Sequence, residues 1–217
     1  GNGMLSSKCI SLLGAFNHLH IFIDPAPADL EASFNERLRL FETPHTGWND
    51  YDKKLISQGG GVFSRTAKSI KVTPEIAKRF DIQQKQITPT ELIIHLLQAQ
   101  VDLLWNGGIG TYVKGITETH ADVGDKANDL LRINGAQLRC KVVGEGGNLG
   151  FTQLARIEFA INGGYCFTDA IDNAAGVNCS DLEVNIKILL DKLVSKGDLT
   201  VKQRNIWLVK MTDEVSQ

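Results

Sequence analysis

Val142-Val143-Gly144-Glu145-Gly146-Gly147-Asn148 and Ile171-Asp172-Asn173-Ala174-Ala175-Gly176-Val177-Asn178-Cys179-Ser180 lie about one βα unit apart and decide how this chain is read. Each follows a short apolar run and opens onto a helical pattern. Such a segment places small residues and carboxamides where the strands of an open α/β sheet end, the crevice in which ligands of these sheets bind. Glycines let a flat ligand lie against backbone, and an asparagine side chain both donates and accepts hydrogen bonds.

Strands and helices alternate outward from these two segments. Residues 138–143 read as a strand, 152–161 as a helix and 165–168 as a last short strand. Ser180-Asp181-Leu182-Glu183 reads as the start of a long amphipathic helix ended by Lys196-Gly197, and residues 200–211 as one more helix. Upstream, Thr73-Pro74-Glu75 and Thr88-Pro89-Thr90-Glu91 each put a hydroxyl at the cap and proline at the first helical position, and Glu91 completes a capping box. The second of these helices leads into residues 101–105, a buried-strand pattern that ends at Asn106-Gly107-Gly108-Ile109-Gly110-Thr111. Nearer the N-terminus, residues 12–16 and 21–23 look like strands. Asp29 caps a helix whose Leu30, Phe34, Leu38 and Phe41 keep helical spacing. Gly59-Gly60-Gly61 marks either a tight structural crossing or part of a cleft. The alternation predicts an α/β fold, doubly wound, with a mostly parallel sheet covered by helices on both faces.

Composition narrows the function. With 217 residues, 42% hydrophobic and 22% charged content and a formal charge of −2, the chain is an ordinary globular protein with one sizeable core. It has no basic cluster with interleaved aromatics, which argues against nucleic acid as a partner. No apolar run approaches the ~18 residues of a membrane span. The first five residues show no signal-like stretch, so a cytoplasmic setting is expected. Cys9, Cys140, Cys166 and Cys179 are widely spaced and read as small hydrophobes rather than disulfide partners or zinc ligands. His18 and His20 have no nearby cysteine or carboxylate to complete a metal site.

Three bends share one character: Asn106-Gly107-Gly108, Gly146-Gly147-Asn148 and Asn173-Ala174-Ala175-Gly176. Each alone is an ordinary turn. Three at successive strand ends would converge on one edge of a parallel sheet, which favours a ligand site. Gly144-x-Gly146-x-x-x-Gly150 misses the dinucleotide fingerprint by one residue, whereas Gly1-Asn2-Gly3-Met4-Leu5-Ser6 reads G-x-G-x-x-S. Asp122, Asp125 and Lys126 read as a solvated loop in preference to a polar site. Glu145 either stabilises its glycine turn or faces a ligand. Ser180 caps a helix or meets a carboxylate ligand there. No Ser-His-Asp or Cys-His arrangement is present at these spacings.

At this point the residues resemble a family. Residues 141–148 resemble the K-I-V-A-E-G-A-N segment of glutamate dehydrogenases, and residues 172–183 their N-A-G-G-V-T-V-S-Y-F-E segment. Leu103-Leu104-Trp105-Asn106-Gly107-Gly108-Ile109 resembles their I-L-I-P-A-A-I strand and turn. Gly59-Gly60-Gly61-Val62-Phe63, with residues 103–112, 117–128 and 144–150, is most similar to the large bacterial NAD-specific glutamate dehydrogenases.

The resemblance implies that residues 1–217 form a Rossmann-like NAD-binding domain of a longer enzyme. That enzyme deaminates L-glutamate oxidatively to 2-oxoglutarate and ammonia and works as a homo-oligomer. Gly1 and Gly3 would end the pyrophosphate loop, and Asn17 would stand where an acidic residue often binds the adenosine ribose, which weakens the usual argument for NAD over NADP. Asn106, Gly107 and Gly108 would lie along the cofactor, Asn148 and Asn173 near the nicotinamide, and Ser180 against the substrate's side-chain carboxylate. The family's catalytic lysine and aspartate belong to a separate substrate domain that nothing here matches, so no catalytic residue is assigned. The rivals are a related amino-acid dehydrogenase acting on leucine, valine or phenylalanine, and a non-catalytic nucleotide-sensing or interaction module.

Overall fold

The structure, a computed structural model, describes residues 5–216, and the chain divides into two compact units at the Phe167–Thr168 boundary. Gly1 and Gly3 lie outside the described residues. The first unit runs β1 (Gly14–Phe16), β2 (His20–Ile23), α1 (Leu30–Glu42), β3 (Gly61–Ser64), β4 (Ile70–Lys71), α2 (Pro74–Phe80), β5 (Gln86–Ile87) and α3 (Pro89–Leu97). It continues through β6 (Leu103–Asn106), β7 (Val113–Lys114), α4 (His120–Val123), β8 (Ile133–Asn134), β9 (Val142–Glu145), α5 (Gln153–Ile161) and β10 (Tyr165–Cys166). The second unit is helical: α6 (Asp169–Asp172), α7 (Ala174–Lys196), α8 (Val201–Lys210) and α9 (Thr212–Ser216). No described helix is long and apolar enough to cross a membrane.

The fold is α/β, but its sheets are mixed rather than mostly parallel. β10, β9 and β6 form a parallel sheet in that order, and β9–α5–β10 is a crossover unit. β1, β2 and β3 form a separate antiparallel sheet. The reason is connection length. Only Asn17, His18 and Leu19 separate β1 from β2, and a parallel pair needs a crossover of a dozen or more residues.

Both sheets feed one core. Side chains alternate along β2, so Ile21 and Ile23 join Leu92, Ile93, Val113, Val143 and Phe159 in the main cluster. Phe22 points the other way, into an aromatic group with Trp48 and Tyr51 at ring-centroid distances of 4.8 Å each. Cys140 is buried at the edge of the main core, and burial pushes its thiol up to about 11. Cys9 is exposed. The two Thr-Pro helix starts form as the sequence predicts: Thr73 accepts from the Ile76 N–H, and Thr88 and Glu91 make the reciprocal capping box.

Helix α1 buries its polar side more deeply than its apolar stripe. Asp29 caps it at 2.8 Å from the Ala32 nitrogen, as predicted, yet Leu30 and Phe41 are exposed and Ser33, Glu36 and Arg37 are buried. Specific polar bonds outweigh the apolar stripe here. Arg37 donates to the Leu5 carbonyl at 2.6 Å, and Glu36 accepts from the Asp52 N–H at 2.7 Å while paired with Arg39. A buried backbone carbonyl or N–H left without such a partner costs about 1–3 kcal/mol.

Gly59-Gly60-Gly61 is the tight crossing. A Cβ on Gly60 would come within 2.5 Å of the Ile23 carbonyl oxygen and 2.9 Å of Pro25 Cδ. Gly60→Ala therefore forces the end of β2 aside and is expected to cost about 1–3 kcal/mol, read as a lower urea midpoint at unchanged slope. Gly47→Ala, at a glycine with nothing within 4 Å of its Cβ position, should leave that midpoint in place.

Candidate functional site

Parallel pairing aligns Leu103–Asn106 with Val142–Glu145 so that Asn106 stands opposite Glu145. The bends leaving both strands therefore emerge at the same carboxyl rim. They touch through backbone. The Gly147 N–H donates to the Asn106 carbonyl at 3.0 Å, and a Cβ on Gly147 would sit 2.0 Å from the Gly108 oxygen. No other residue fits there. Gly144 and Gly146 lie against the two ends of the Trp105 indole, and Gly150 against the Asn106 carboxamide. The second bend is closed by Thr111, whose hydroxyl donates to the Leu149 carbonyl at 2.6 Å, and by the Tyr112 N–H, which donates to the Gly150 carbonyl at 2.9 Å. Leu149 holds a left-handed φ of 55°, an uncommon conformation for a residue with a side chain.

Charge is buried directly beneath the rim. Glu145, the last residue of β9, is 0% exposed and accepts from Arg156 on α5: Nε to Oε2 at 2.7 Å and Nη2 to Oε1 at 3.1 Å. The Phe151 N–H also donates to Glu145 Oε1, at 3.0 Å. Beside this satisfied pair stand two donors without acceptors: the Asn106 Nδ2 and Trp105 Nε1 atoms are buried and make no hydrogen bond. Such donors are uncommon in folded proteins, and here they lie against the Gly150 and Gly146 backbone at the rim. Gly107, Gly108 and Asn148 are exposed on the same rim.

The structure thus brings together Asn106, Gly107, Gly108 and Asn148 of the residues singled out in the sequence. It does not place the third bend at a strand end. β10 stops at Cys166, Thr168 opens α6, and Asn173 is the junction between α6 and α7 in the second unit. Ser180 also departs from expectation: α7 starts at Ala174, so Ser180 lies well inside it and cannot use the free N–H groups of a helix start. Asn17 turns the β1–β2 hairpin, its Oδ1 accepting from the N–H groups of Leu19 and His20 at 2.8 Å each. Two surface hollows, of about 290 Å³ at Lys8, Leu30 and Phe34 and about 480 Å³ at Ile206 and Val209, include no rim residue.

Sequence reasoning missed Asp24. This carboxylate is 2% exposed and follows β2 directly. Its Oδ1 accepts from the Ser57 hydroxyl, the Ser57 N–H at 3.2 Å and the Ala26 N–H at 3.4 Å. The signal was available: an acid at the end of the second strand, about 20 residues beyond a glycine turn, is the usual ribose partner in dinucleotide folds.

The segment between the rim and β8 is held by Arg132, whose side chain is fully buried. It donates to the Thr111 carbonyl at 2.9 Å, to Asp129 at 2.6 Å and to the Asp125 carbonyl at 2.6 Å. Asp122 completes the cap of α4 with Thr119, and Lys126 is exposed. Asp125 accepts from the Thr111 N–H at 2.9 Å and from Asn128 at 2.7 Å. Burial pushes its carboxyl up, but these bonds and the Arg132 charge outweigh that and hold it below its ordinary value of 3.8. A carboxyl lowered on folding stabilises above its unfolded value and loses that contribution as pH falls through the folded one. Hydrogen-exchange protection of the Thr111 and Arg132 amides should therefore hold at neutral pH and drop only below about pH 4. In Asp125→Asn this acid step should vanish.

The sequence profile of bacterial NAD-glutamate dehydrogenase, catalytic domain, matches residues 1–217. The NAD-specific glutamate dehydrogenase of Pseudomonas aeruginosa is 66% identical over 215 residues, covering 99% of this chain and 13% of that protein. Its namesake from Halomonas elongata is 63% identical, covering 100% of this chain and 13% of the relative. The Mycobacterium tuberculosis protein of the same name is 53% identical, at 100% and 14%. The chain spans only a small part of the length of these relatives. It belongs to the bacterial NAD-glutamate dehydrogenase catalytic-domain family.

Proposed function

We propose that residues 1–217 are the cofactor-binding part of an NAD-dependent glutamate dehydrogenase, a Rossmann-like domain whose nucleotide lies across the β6–β9 rim. The carrying observation is the pair of buried, unpartnered donors at Trp105 and Asn106 beside a backbone contact that only glycine permits. An acceptor-rich, flat ligand suits that rim. The names of the relatives supply the reaction class.

In this reading bound NAD would supply the hydride acceptor for oxidative deamination of L-glutamate to 2-oxoglutarate and ammonia. Asn106 and Asn148 anchor and orient the cofactor, and the glycines let it approach the backbone. The place of Asn17 beside the adenosine ribose rests on the family resemblance alone. Contact of Ser180 with the substrate carboxylate, and of Asn173 with the nicotinamide, rests on the family resemblance alone. The groups that move protons belong to the substrate domain of the longer enzyme. Its homo-oligomeric state and cytoplasmic setting are part of the same proposal.

Asn106→Ala in the full-length enzyme should raise the KM for NAD about tenfold, the equivalent of one lost hydrogen bond, and leave the KM for glutamate within about twofold. Equal change in both constants, or no change, would remove Asn106 from the cofactor. The purified 217-residue chain should reduce no NAD with glutamate, and measurable turnover by it would overturn the division of labour.

A further inference from the structure

Glu145 is the most deeply buried charged residue of the described chain, at 0% exposure, and the proposed cofactor chemistry has no use for it. Its position is peculiar. It is the last residue of β9, and the N–H it accepts belongs to Phe151, the first residue after the bend formed by Gly146, Gly147, Asn148, Leu149 and Gly150. One carboxylate therefore ties both ends of that bend together. Arg156, one turn into α5, grips the same carboxylate through two nitrogens. A bidentate guanidinium fixes a carboxylate in direction as well as in place. Phe151 is itself 2% exposed and bridges to Val113, so the far end of the bend is anchored in the core.

Burying this pair is expensive, because taking two charges out of water offsets much of their attraction. A hydrophobic pair of similar volume would hold β9 to α5 at less cost. An ion pair differs in specifying one geometry, and what it specifies here is the bend that carries Asn148 and packs Gly147 on the Gly108 carbonyl. The left-handed Leu149 within the bend needs such a constraint to persist.

We propose that Glu145 and Arg156 are positioning residues for the dinucleotide: they touch no ligand, and they hold the Gly146–Gly150 bend in the one shape that presents Asn148 to it. This rests on the cofactor reading above. It assigns the pair a role in affinity for nucleotide rather than in stability alone.

The test uses the full-length enzyme with Glu145→Gln, Arg156→Lys and Arg156→Met, reading NADH affinity by nicotinamide fluorescence without substrate, KM values, and hydrogen exchange over residues 146–151. Arg156→Met should weaken NADH binding about tenfold or more with the KM for glutamate within twofold, and exchange should rise in the bend but not in β6. Arg156→Lys, which keeps the charge and loses the fork, should recover part of the affinity. Glu145→Gln keeps an acceptor for the Phe151 N–H and should fall between the two. Folded variants with faster exchange in the bend and unchanged NADH affinity would overturn the proposal. Should Arg156→Met fail to fold, Glu145→Gln and Arg156→Lys decide it by the same comparison. Wild-type enzyme that binds no NADH would sink the cofactor reading and this inference together, a result distinct from failure in the variants alone.

Discussion

The in-register parallel pairing of Leu103–Asn106 with Val142–Glu145 is the constraint from which the rim follows, because side chains alternate along a strand and a slip of one residue would turn every one of them over. In the observed register Trp105 pairs with Gly144, so a large indole finds a flat surface, and Asn106 pairs with Glu145. A slip would set the indole against Val143, a buried residue of the core, and would carry Glu145 out of reach of Arg156. Four hydrogen-bonded residues on each strand thus determine where two bends, one ion pair and two donors stand.

Polar groups do much of the holding in this unit. Glu145, Arg156, Arg132 and Arg37 are all buried, and each arginine meets oxygen partners. Arg132 and Arg37 bond carbonyls of irregular segments, and Arg156 bonds the last residue of β9. By contrast the Asp102–Lys141 pair is exposed, and water and salt screen it. Loops usually remain at the surface because their backbone groups need water. Here Arg132 and Arg37 supply donors to several of those backbone carbonyls in place of water.

Local chemistry was legible in the sequence wherever a short rule governs it. The Thr-Pro caps, the Asp29 cap, the strands ending at Asn106 and near Glu145, and the helix from Thr152 to Ile161 all appear within a few residues of expectation. Long-range partnership was not legible. The apolar spacing of α1 reads as a buried stripe, and the partners of Arg37 and Glu36 explain why the polar side is buried more deeply. Ser180 looks like a helix start because serine favours caps, yet α7 already begins at Ala174. The antiparallel sheet was hidden by the similarity of short apolar runs, which do not announce their direction. Of the residues singled out in the sequence, Asn106, Gly107, Gly108 and Asn148 lie together at the rim, whereas the pairing of Glu145 with Arg156 required the fold.

The cysteines record the integrity of this fold in their own way. Cys9 meets solvent, while Cys140 is enclosed and, with its thiol raised to about 11, carries almost no thiolate at neutral pH. An alkylating reagent will consume the first at once and reach the second only when the core parts. With Cys166 and Cys179 half-buried, the slowest labelling, that of Cys140, is then a clock for opening, built into the molecule without any added probe.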